Sequence, residues 1–157
     1  GETRESLASP ESINSAKVVS CVLSDSGISN DIISKQIHVK TSNLGIEIKI
    51  QYDDVYQALI NVVRNAITAT GIGSTIEIKL QHTNNWVRLC VLDMGPGIPH
   101  DFTLNNLQRR LDGDNSHGLG LHMVERVMLR HEGKFELKNR TMVTGAEAVL
   151  KFPNRQD

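Results

Sequence analysis

Two asparagines in this sequence could together hold a cation beside a charged ligand. Asn61 and Asn65 stand four residues apart in a segment with helical periodicity, so they share one face of the predicted helix. An amide oxygen can bind a hard cation such as Mg²⁺ without adding negative charge next to a phosphate, and one such oxygen can suffice. The pair therefore indicates a cation site, and the alternative is an ordinary solvated helix face.

A carboxylate is predicted where the sequence pattern calls for an apolar side chain. Asp93 continues the side of a strand formed by the alternating apolar residues of segment 87–91, and Gly95-Pro96-Gly97 follows at once. Glycines allow a tight turn and the close approach of a flat ligand. A carboxylate accepts a hydrogen bond from the exocyclic amine of adenine and repels the carbonyl oxygen of guanine. The pattern indicates an adenine pocket, or alternatively a simple turn.

A short glycine repeat, Gly118-Leu119-Gly120-Leu121, stands at the start of a predicted helix. The unpaired backbone amides of a helix N-terminus can bind phosphate. The repeat lacks the Lys-Ser/Thr pair of a Walker loop and does not follow a strand as a dinucleotide fingerprint does. Three such groups in this order, with a long polar segment before the last, predict a nucleoside triphosphate site.

Hydrophobic periodicity predicts the elements that position these groups. The expected fold is a two-layer α/β sandwich with three helices on one face of a mixed, mostly antiparallel sheet, formed as one domain over residues 1–157. The predicted elements are a helix from Pro10 to Ser24, a loop over 25–35, strands 36–40 and 46–50 joined by a turn, a helix over 54–70, strands 75–81 and 86–92, a lid over 95–117, a helix over 119–130, and strands 134–138 and 147–152.

Composition narrows the range of partners. A net charge of -1 and a pI near 6.7 give no bulk attraction to nucleic acid, and no apolar run is long enough for a membrane span. We therefore expect neither nucleic-acid binding nor direct membrane contact by this chain. Cys21 and Cys90 lack metal-ligand spacing, which favours reduced thiols and a cytoplasmic location. The start at Gly1, without an initiator Met, suggests a piece of a longer protein.

Three motifs resemble those of sensor histidine kinases, which belong to the GHKL ATPases. Segment 61–66 is similar to their asparagine box, and segments 93–99 and 117–121 are similar to their two glycine boxes. The likeness extends over residues 36–153. It implies the Bergerat form of the α/β sandwich, with ATP and Mg²⁺ as ligands. Three departures are Thr68, where a basic or aromatic residue is common, the reduction of a phenylalanine-rich box to Phe102, and Glu147 in place of a common threonine.

The resemblance also assigns roles to individual residues. Asn65 would be the Mg²⁺ ligand and the catalytic residue, Asn61 would lie near the phosphates, and Asp93 would bind adenine. Gly95, Gly97 and Ile98 would shape the base pocket, and Gly118, Leu119, Gly120 and Leu121 would contact the phosphates under the lid. Arg109 and Arg110 in that lid could reach the γ-phosphate or form a solvated pair.

Kinases of this family phosphorylate a histidine on a separate dimerisation domain. The pair His131-Glu132 is the one acceptor-like motif here, and we interpret it as a helix end. The resemblance thus implies a domain that presents the γ-phosphate of ATP·Mg²⁺ to its own dimerisation and phosphoacceptor domain, with a response regulator as a further partner, and it could be the cytoplasmic part of a membrane-anchored kinase. The alternatives are another GHKL ATPase, an anti-sigma serine kinase, or a degenerate pseudokinase that serves as an interaction module.

Overall fold

A computed structural model describes residues 10–98 and 119–155 of the chain. In chain order these ranges form β1 (Glu11–Asn14), α1 (Ser15–Leu23), α2 (Ser26–Ser34), β2 (His38–Ser42), β3 (Glu47–Ile50), α3 (Tyr52–Ala69), β4 (Thr75–His82), β5 (Trp86–Leu92), α4 (Leu119–Arg130), β6 (Lys134–Asn139) and β7 (Ala146–Pro153).

The main sheet has five strands in the order β2-β4-β5-β7-β6. β2 and β4 run parallel, whereas the pairs β4-β5, β5-β7 and β6-β7 are antiparallel. A second, two-stranded sheet is formed by β1 and β3. The predicted α/β fold with a mixed, mostly antiparallel sheet is therefore confirmed.

The core lies between the helices and one face of the main sheet. Ile76, Ile78 and Leu80 are buried at alternate positions of β4, as a strand with one covered face requires. Leu59 of α3 and Met128 of α4 are buried in the same cluster. Removal of this apolar surface from water is the main force that holds α3 and α4 on the sheet.

The N-terminal helix begins later than predicted. Residues from Glu11 onward form β1, and the helix begins at Ser15 with Asn14 as its N-cap, whose Oδ1 accepts a hydrogen bond from Ala16 N at 2.9 Å. Pro10 predicts an earlier helix start because proline is common in the first turn of a helix. Pairing of β1 with β3, a contact between segments distant in sequence, decides the conformation instead.

The segment predicted as a loop over 25–35 is mostly helix α2. Asp25 caps it, since its Oδ2 accepts a hydrogen bond from Ile28 N at 3.1 Å. Ile28 is the buried residue of this helix, so its apolar stripe is too narrow to be seen in the sequence. The described ranges therefore hold four helices rather than the three predicted.

The two strands predicted to be joined by a turn do not pair with each other. β2 lies beside β4 in the main sheet, and β3 lies beside β1 in the small sheet. Gly45 between them has a φ of 111°, and its N–H donates to Ser15 Oγ at 3.0 Å. The two predicted strands are therefore confirmed, and each of them pairs with a strand from another part of the chain.

Two side-chain contacts fix the ends of α3. Lys35 Nζ donates to Ile67 O at 2.7 Å and to Thr68 O at 3.4 Å, which places a positive charge at the negative end of the helix. Near the other end, Asp54 Oδ2 lies 2.9 Å from Arg130 Nη2 and accepts from Arg130 Nε at 3.2 Å. The second contact ties the start of α3 to the end of α4.

His131 lies directly after α4, as the sequence predicted. It is 2% exposed, its Nδ1 lies 2.9 Å from Val127 O, and its Nε2 accepts from Gln51 N at 3.1 Å. These partners require the neutral tautomer that carries its hydrogen on Nδ1. The chain then turns through Glu132, whose φ is 60°, and Gly133, where a Cβ would collide with Lys151 O.

We expect His131 to make the stability of the fold depend on pH. Burial lowers the pKa of His131 below 6.5, so the unfolded chain binds the proton more readily. The contribution of neutral His131 to the free energy of unfolding is therefore complete above pH 6.5. It is lost as the pH falls toward the pKa of His131 in the folded chain, by at most about 1.4 kcal/mol per pH unit. Urea unfolding at pH 7.5 and 5.5 measures the loss. His131→Gln should lose less stability than the unaltered chain, with the partly exposed His122→Gln as control. Equal losses in all three would contradict this assignment.

Within the described ranges no helix is both long enough and apolar enough to cross a bilayer. Cys21 and Cys90 are both free thiols; Cys90 is buried, whereas Cys21 is partly exposed.

Candidate functional site

A cavity of about 140 Å³ lies between α3, the start of α4, the segment after β5, and the strands β5, β6 and β7. The polar side chains among its lining residues are Asn65 and Asp93. The lining consists of Val62, Asn65, Ala66, Ala69, Val91, Asp93, Pro96, Gly97, Ile98, Leu121, Phe135, Leu137, Ala146 and Ala148. An apolar cleft with a few fixed polar groups is the usual form of a small-molecule site.

Asp93 is held in one orientation at the wall of this cavity. It is 8% exposed, and its Oδ1 accepts hydrogen bonds from Gly95 N at 2.9 Å and Ala146 N at 3.0 Å. Within the described residues no donor contacts its other oxygen, Oδ2. One carboxylate oxygen thus fixes the side chain, and the other is available to a donor on a ligand.

The backbone around Asp93 is also fixed, by residues that the sequence analysis missed. Asp93 N donates to Ala146 O at 2.9 Å, and Arg140 Nη1 donates to Asp93 O at 2.9 Å. The next residue, Met94, donates from its backbone N to Thr70 Oγ1 at 3.3 Å. The end of α3 and the turn between β6 and β7 therefore both hold this segment.

Gly95 and Gly97 are required by close approach to other parts of the protein. A Cβ on Gly95 would lie 2.7 Å from Ala69 O, and one on Gly97 would lie 2.7 Å from Asn139 Oδ1. Gly97 also has a φ of 89°, a conformation that strains other residues. The sequence predicts that these glycines leave room for a ligand. The structure adds that they let the segment pack closely on α3 and β6.

The two asparagines of α3 lie in different surroundings. Asn65 lines the cavity, and its Nδ2 is buried without a hydrogen-bond partner among the described residues. Asn61 Nδ2 donates to Gln57 O at 3.1 Å, and a Cβ on Gly120 would lie 2.7 Å from Asn61 Cγ. Asn61 thus marks the close contact between α3 and α4, whereas Asn65 carries a donor without an acceptor.

The glycine repeat lies partly within the described ranges. Leu119 and Gly120 begin α4, and Leu121 is buried and lines the cavity. Gly118 lies outside the described residues, as does the predicted lid from residue 99 onward, including Phe102, Arg109 and Arg110.

Glu147 does not take part in the cavity. It pairs with Leu92 across β5 and β7, on the face opposite Ala148 and the cavity, and its Oε1 lies 3.8 Å from Lys138 Nζ. Burial, and to a smaller extent the negative charge of Glu147, raises the pKa of the Cys90 thiol to about 11. The backbone of Ala146 supports Asp93 instead.

Thr68, the other departure from the family pattern within the described residues, is exposed and donates from its Oγ1 to Arg64 O at 3.0 Å.

Four cavity residues from β6 and β7 were not predicted from the sequence. Their alternation in the two strands is the signal that could have found them: Phe135, Leu137, Ala146 and Ala148.

Comparison with known proteins identifies the family of this chain. A family profile described as "Histidine kinase-, DNA gyrase B-, and HSP90-like ATPase" matches residues 50–156. The adaptive-response sensory kinase SasA of Prochlorococcus marinus is 29% identical over 145 residues, which is 85% of this chain and 37% of that protein. The sensor protein BasS of Escherichia coli is 37% identical over 101 residues, which is 62% of this chain and 28% of that protein.

Solved structures agree at the level of the fold. The catalytic domain of the histidine kinase ThkA has a TM-score of 0.76 at 24% identity, covering 94% of this chain and 99% of that one. The mycobacterial sensor histidine kinase MprB has a TM-score of 0.76 at 21% identity, with 94% and 99% covered.

The chain therefore belongs to the histidine kinase-, DNA gyrase B- and HSP90-like ATPase family. Within it, the relatives are sensor kinases and the shared fold is that of their ATP-binding catalytic domains. The chain spans little more than a third of the length of the SasA protein that it matches.

Proposed function

We propose that this domain binds ATP with Mg²⁺ in the cavity beside α3 and presents the γ-phosphate to a histidine on the dimerisation domain of its own full-length protein. The observation that carries this is the cavity itself, in which two polar side chains, Asn65 and Asp93, interrupt an otherwise apolar lining. Asp93 matches the adenine end of ATP, and Asn65 matches the metal and phosphate end.

Asp93 binds the adenine end. Its Oδ1 is occupied by two backbone amides, so Oδ2 accepts from the exocyclic amine of the base. Guanine carries an oxygen at that place and would meet a fixed negative charge, which favours ATP over GTP. Gly97 and Ile98 form the wall beside the base. Leu121 and the small side chains of Ala66 and Ala148 bound the same space.

Asn65 fits the metal and phosphate end. Its amide oxygen can ligate Mg²⁺, which takes one or two protein oxygens and fills its other positions with phosphate and water. Its buried Nδ2 lacks an acceptor among the described residues, and a phosphate oxygen would supply one. The described ranges hold no cluster of His, Cys, Asp and Glu that could bind a metal in another way.

The start of α4 serves the phosphates through its backbone. We assign Leu119 and Gly120 to this role because the amides of a first helical turn have no partner within the helix. For Gly118, which lies outside the described residues, the same role rests on the family resemblance alone. Asn61, which packs on Gly120, lies beside the same turn. Bound ATP·Mg²⁺ supplies an electrophilic γ-phosphorus, and the amides and Asn65 hold it in position and balance its charge.

The acceptor is a histidine outside this domain. His131 is buried and both of its ring nitrogens have partners, so it cannot reach a phosphate without unfolding the end of α4. In two-component signalling, a response regulator would receive the phosphate next, and the domain would work in the cytoplasm. These assignments are supported by the sensor-kinase names of relatives such as SasA and SpaK of Bacillus subtilis.

Phosphotransfer between separate proteins tests this proposal. We expect the chain, ATP and Mg²⁺ to phosphorylate the separately produced dimerisation domain of the same full-length protein, and the phosphate to be acid-labile. Replacement of the acceptor histidine by glutamine is the control and should abolish labelling. Acid-stable phosphate on serine would contradict the proposal in favour of an anti-sigma type of kinase.

Thermal unfolding separates a kinase from an interaction module without nucleotide. ATP·Mg²⁺ at 100 times its dissociation constant should stabilise the chain by about 2.7 kcal/mol. A flat response across nucleotides would contradict the proposal and favour the module.

A further inference from the structure

We propose that Asn139 is a positioning residue for the adenine pocket, because its side chain clamps Ile98 in the cavity wall. This inference rests on the proposed ATP site and adds to it a residue from a different part of the chain. The clamp is made by both ends of one amide: Asn139 Oδ1 accepts from Ile98 N at 2.6 Å, and Asn139 Nδ2 donates to Ile98 O at 3.2 Å. The Asn139 side chain thus makes the two hydrogen bonds with the Ile98 backbone that a neighbouring β-strand would otherwise make.

The position of Asn139 in β6 explains why it reaches the pocket. Phe135 and Leu137 line the cavity, and Asn139 is the next residue on the same face of the strand. The two cavity residues on this face are apolar, whereas Asn139, the last residue of the strand, carries an amide. Opposite it in β7 is Ala146, whose N–H holds Asp93 Oδ1.

The same strand connection therefore holds both ends of the pocket segment 93–98. Arg140 and Ala146 fix Asp93, and Asn139 fixes Ile98. Between these two points stands Gly97, with a φ of 89° and no room for a Cβ beside Asn139. A shift of Ile98 would pass directly along this short segment toward the carboxylate.

Space for such a shift exists beside Ile98. A second hollow of about 450 Å³ is lined by Pro96, Ile98 and Asn139 and by the turn of residues 140–145. Without the clamp, Ile98 and its neighbours can move into this hollow. The adenine pocket would then lose its shape while the core of the domain, which lies under α3, stays intact.

The first test is ATP binding by Asn139→Ala. Calorimetric titration with ATP·Mg²⁺ should show an affinity about tenfold weaker than in the unaltered chain, which corresponds to loss of the paired hydrogen bonds to Ile98. Asn154→Ala is the matched control, since Asn154 Nδ2 donates to Thr83 O at 2.6 Å in a connection that does not line the cavity. Its affinity should match the unaltered chain.

A second variant separates positioning from a general loss of structure. In Asn139→Asp, the ionised carboxylate accepts from Ile98 N but leaves Ile98 O without a donor. One of the two hydrogen bonds to Ile98 is thus kept at pH 8, where an aspartate is ionised. Asn139→Asp should therefore bind ATP more tightly than Asn139→Ala and more weakly than the unaltered chain.

The clamp can also be measured without nucleotide. Hydrogen exchange of the Ile98 amide should be slowed in the unaltered chain and fast in Asn139→Ala, whereas amides of β5 should exchange alike in both. Failure of the unaltered chain to bind ATP would overturn the proposed function, and this inference with it. Normal ATP binding by Asn139→Ala, or equal affinities of Asn139→Ala and Asn139→Asp for ATP, would overturn this inference alone.

Discussion

Asp93→Asn should weaken ATP binding by at least about 100-fold and leave the fold intact. The amide oxygen of the variant can still accept from Gly95 N and Ala146 N, so the NH₂ group takes the place of Oδ2. Two donors, this group and the adenine amine, then face each other in an apolar cavity. The loss combines a hydrogen bond to a charged acceptor, about 1.5–3 kcal/mol, with the desolvation of an unpaired donor.

Calorimetric titration with ATP measures this effect, and urea unfolding checks the fold. Asp31→Asn is the matched control, since Asp31 is exposed on α2 and its substitution removes the same charge at a place away from the cavity. We expect the control to bind ATP like the unaltered chain. Undiminished binding by Asp93→Asn would show that the base does not use this carboxylate.

Asn65→Ala should remove the dependence of nucleotide binding on Mg²⁺. In the unaltered chain, Mg²⁺ should raise the affinity for ATP, because the amide oxygen of Asn65 adds a protein ligand to the ion. Without that ligand the Mg²⁺-dependent gain should fall at least about tenfold, since even outer partners of a metal site commonly change affinity by about 10–100-fold. Binding of metal-free ATP should change much less.

Titration of each variant with ATP in Mg²⁺ and in EDTA gives the two affinities. Thr68→Ala is the control, since Thr68 is an exposed residue of α3 one turn beyond Asn65 that does not line the cavity. It should retain the Mg²⁺-dependent gain. An equal loss with and without Mg²⁺ in Asn65→Ala would contradict the metal assignment and point to a role in pocket shape.

Elements with a strong local pattern could be predicted from the sequence. The long apolar stripe of α3 and the alternation in β4 and β5 fix both type and bounds within a few residues, because burial of one face selects the matching period. The same holds for α4, from Leu119 to Arg130. Asn65 and Leu121 lie on these two helices, and Asp93 directly follows β5.

Elements decided by distant contacts could not be predicted. β1 is four residues long and exists through its pairing with β3, more than thirty residues away in the chain. α2 buries a narrow face, and β2 pairs in parallel with β4 across the whole of α3. Local sequence holds no record of such partners.

The candidate site divides in the same way. Asp93 could be found because a carboxylate stood in an apolar pattern, and Asn65 because amides repeated along one helix face. Asn139 could not, since its contact with Ile98 joins residues 41 positions apart through a side chain and a backbone. The support of Asp93 by Ala146 is equally hidden, because a backbone amide leaves no mark on residue type.

Calorimetric titration of ATP and GTP, each with Mg²⁺, into the unaltered chain tests the central claim most directly. The carboxylate of Asp93 in an apolar cavity predicts a single ATP site and at least about tenfold weaker binding of GTP. Absence of heat with ATP, or equal affinity for the two nucleotides, would contradict an adenine site at Asp93.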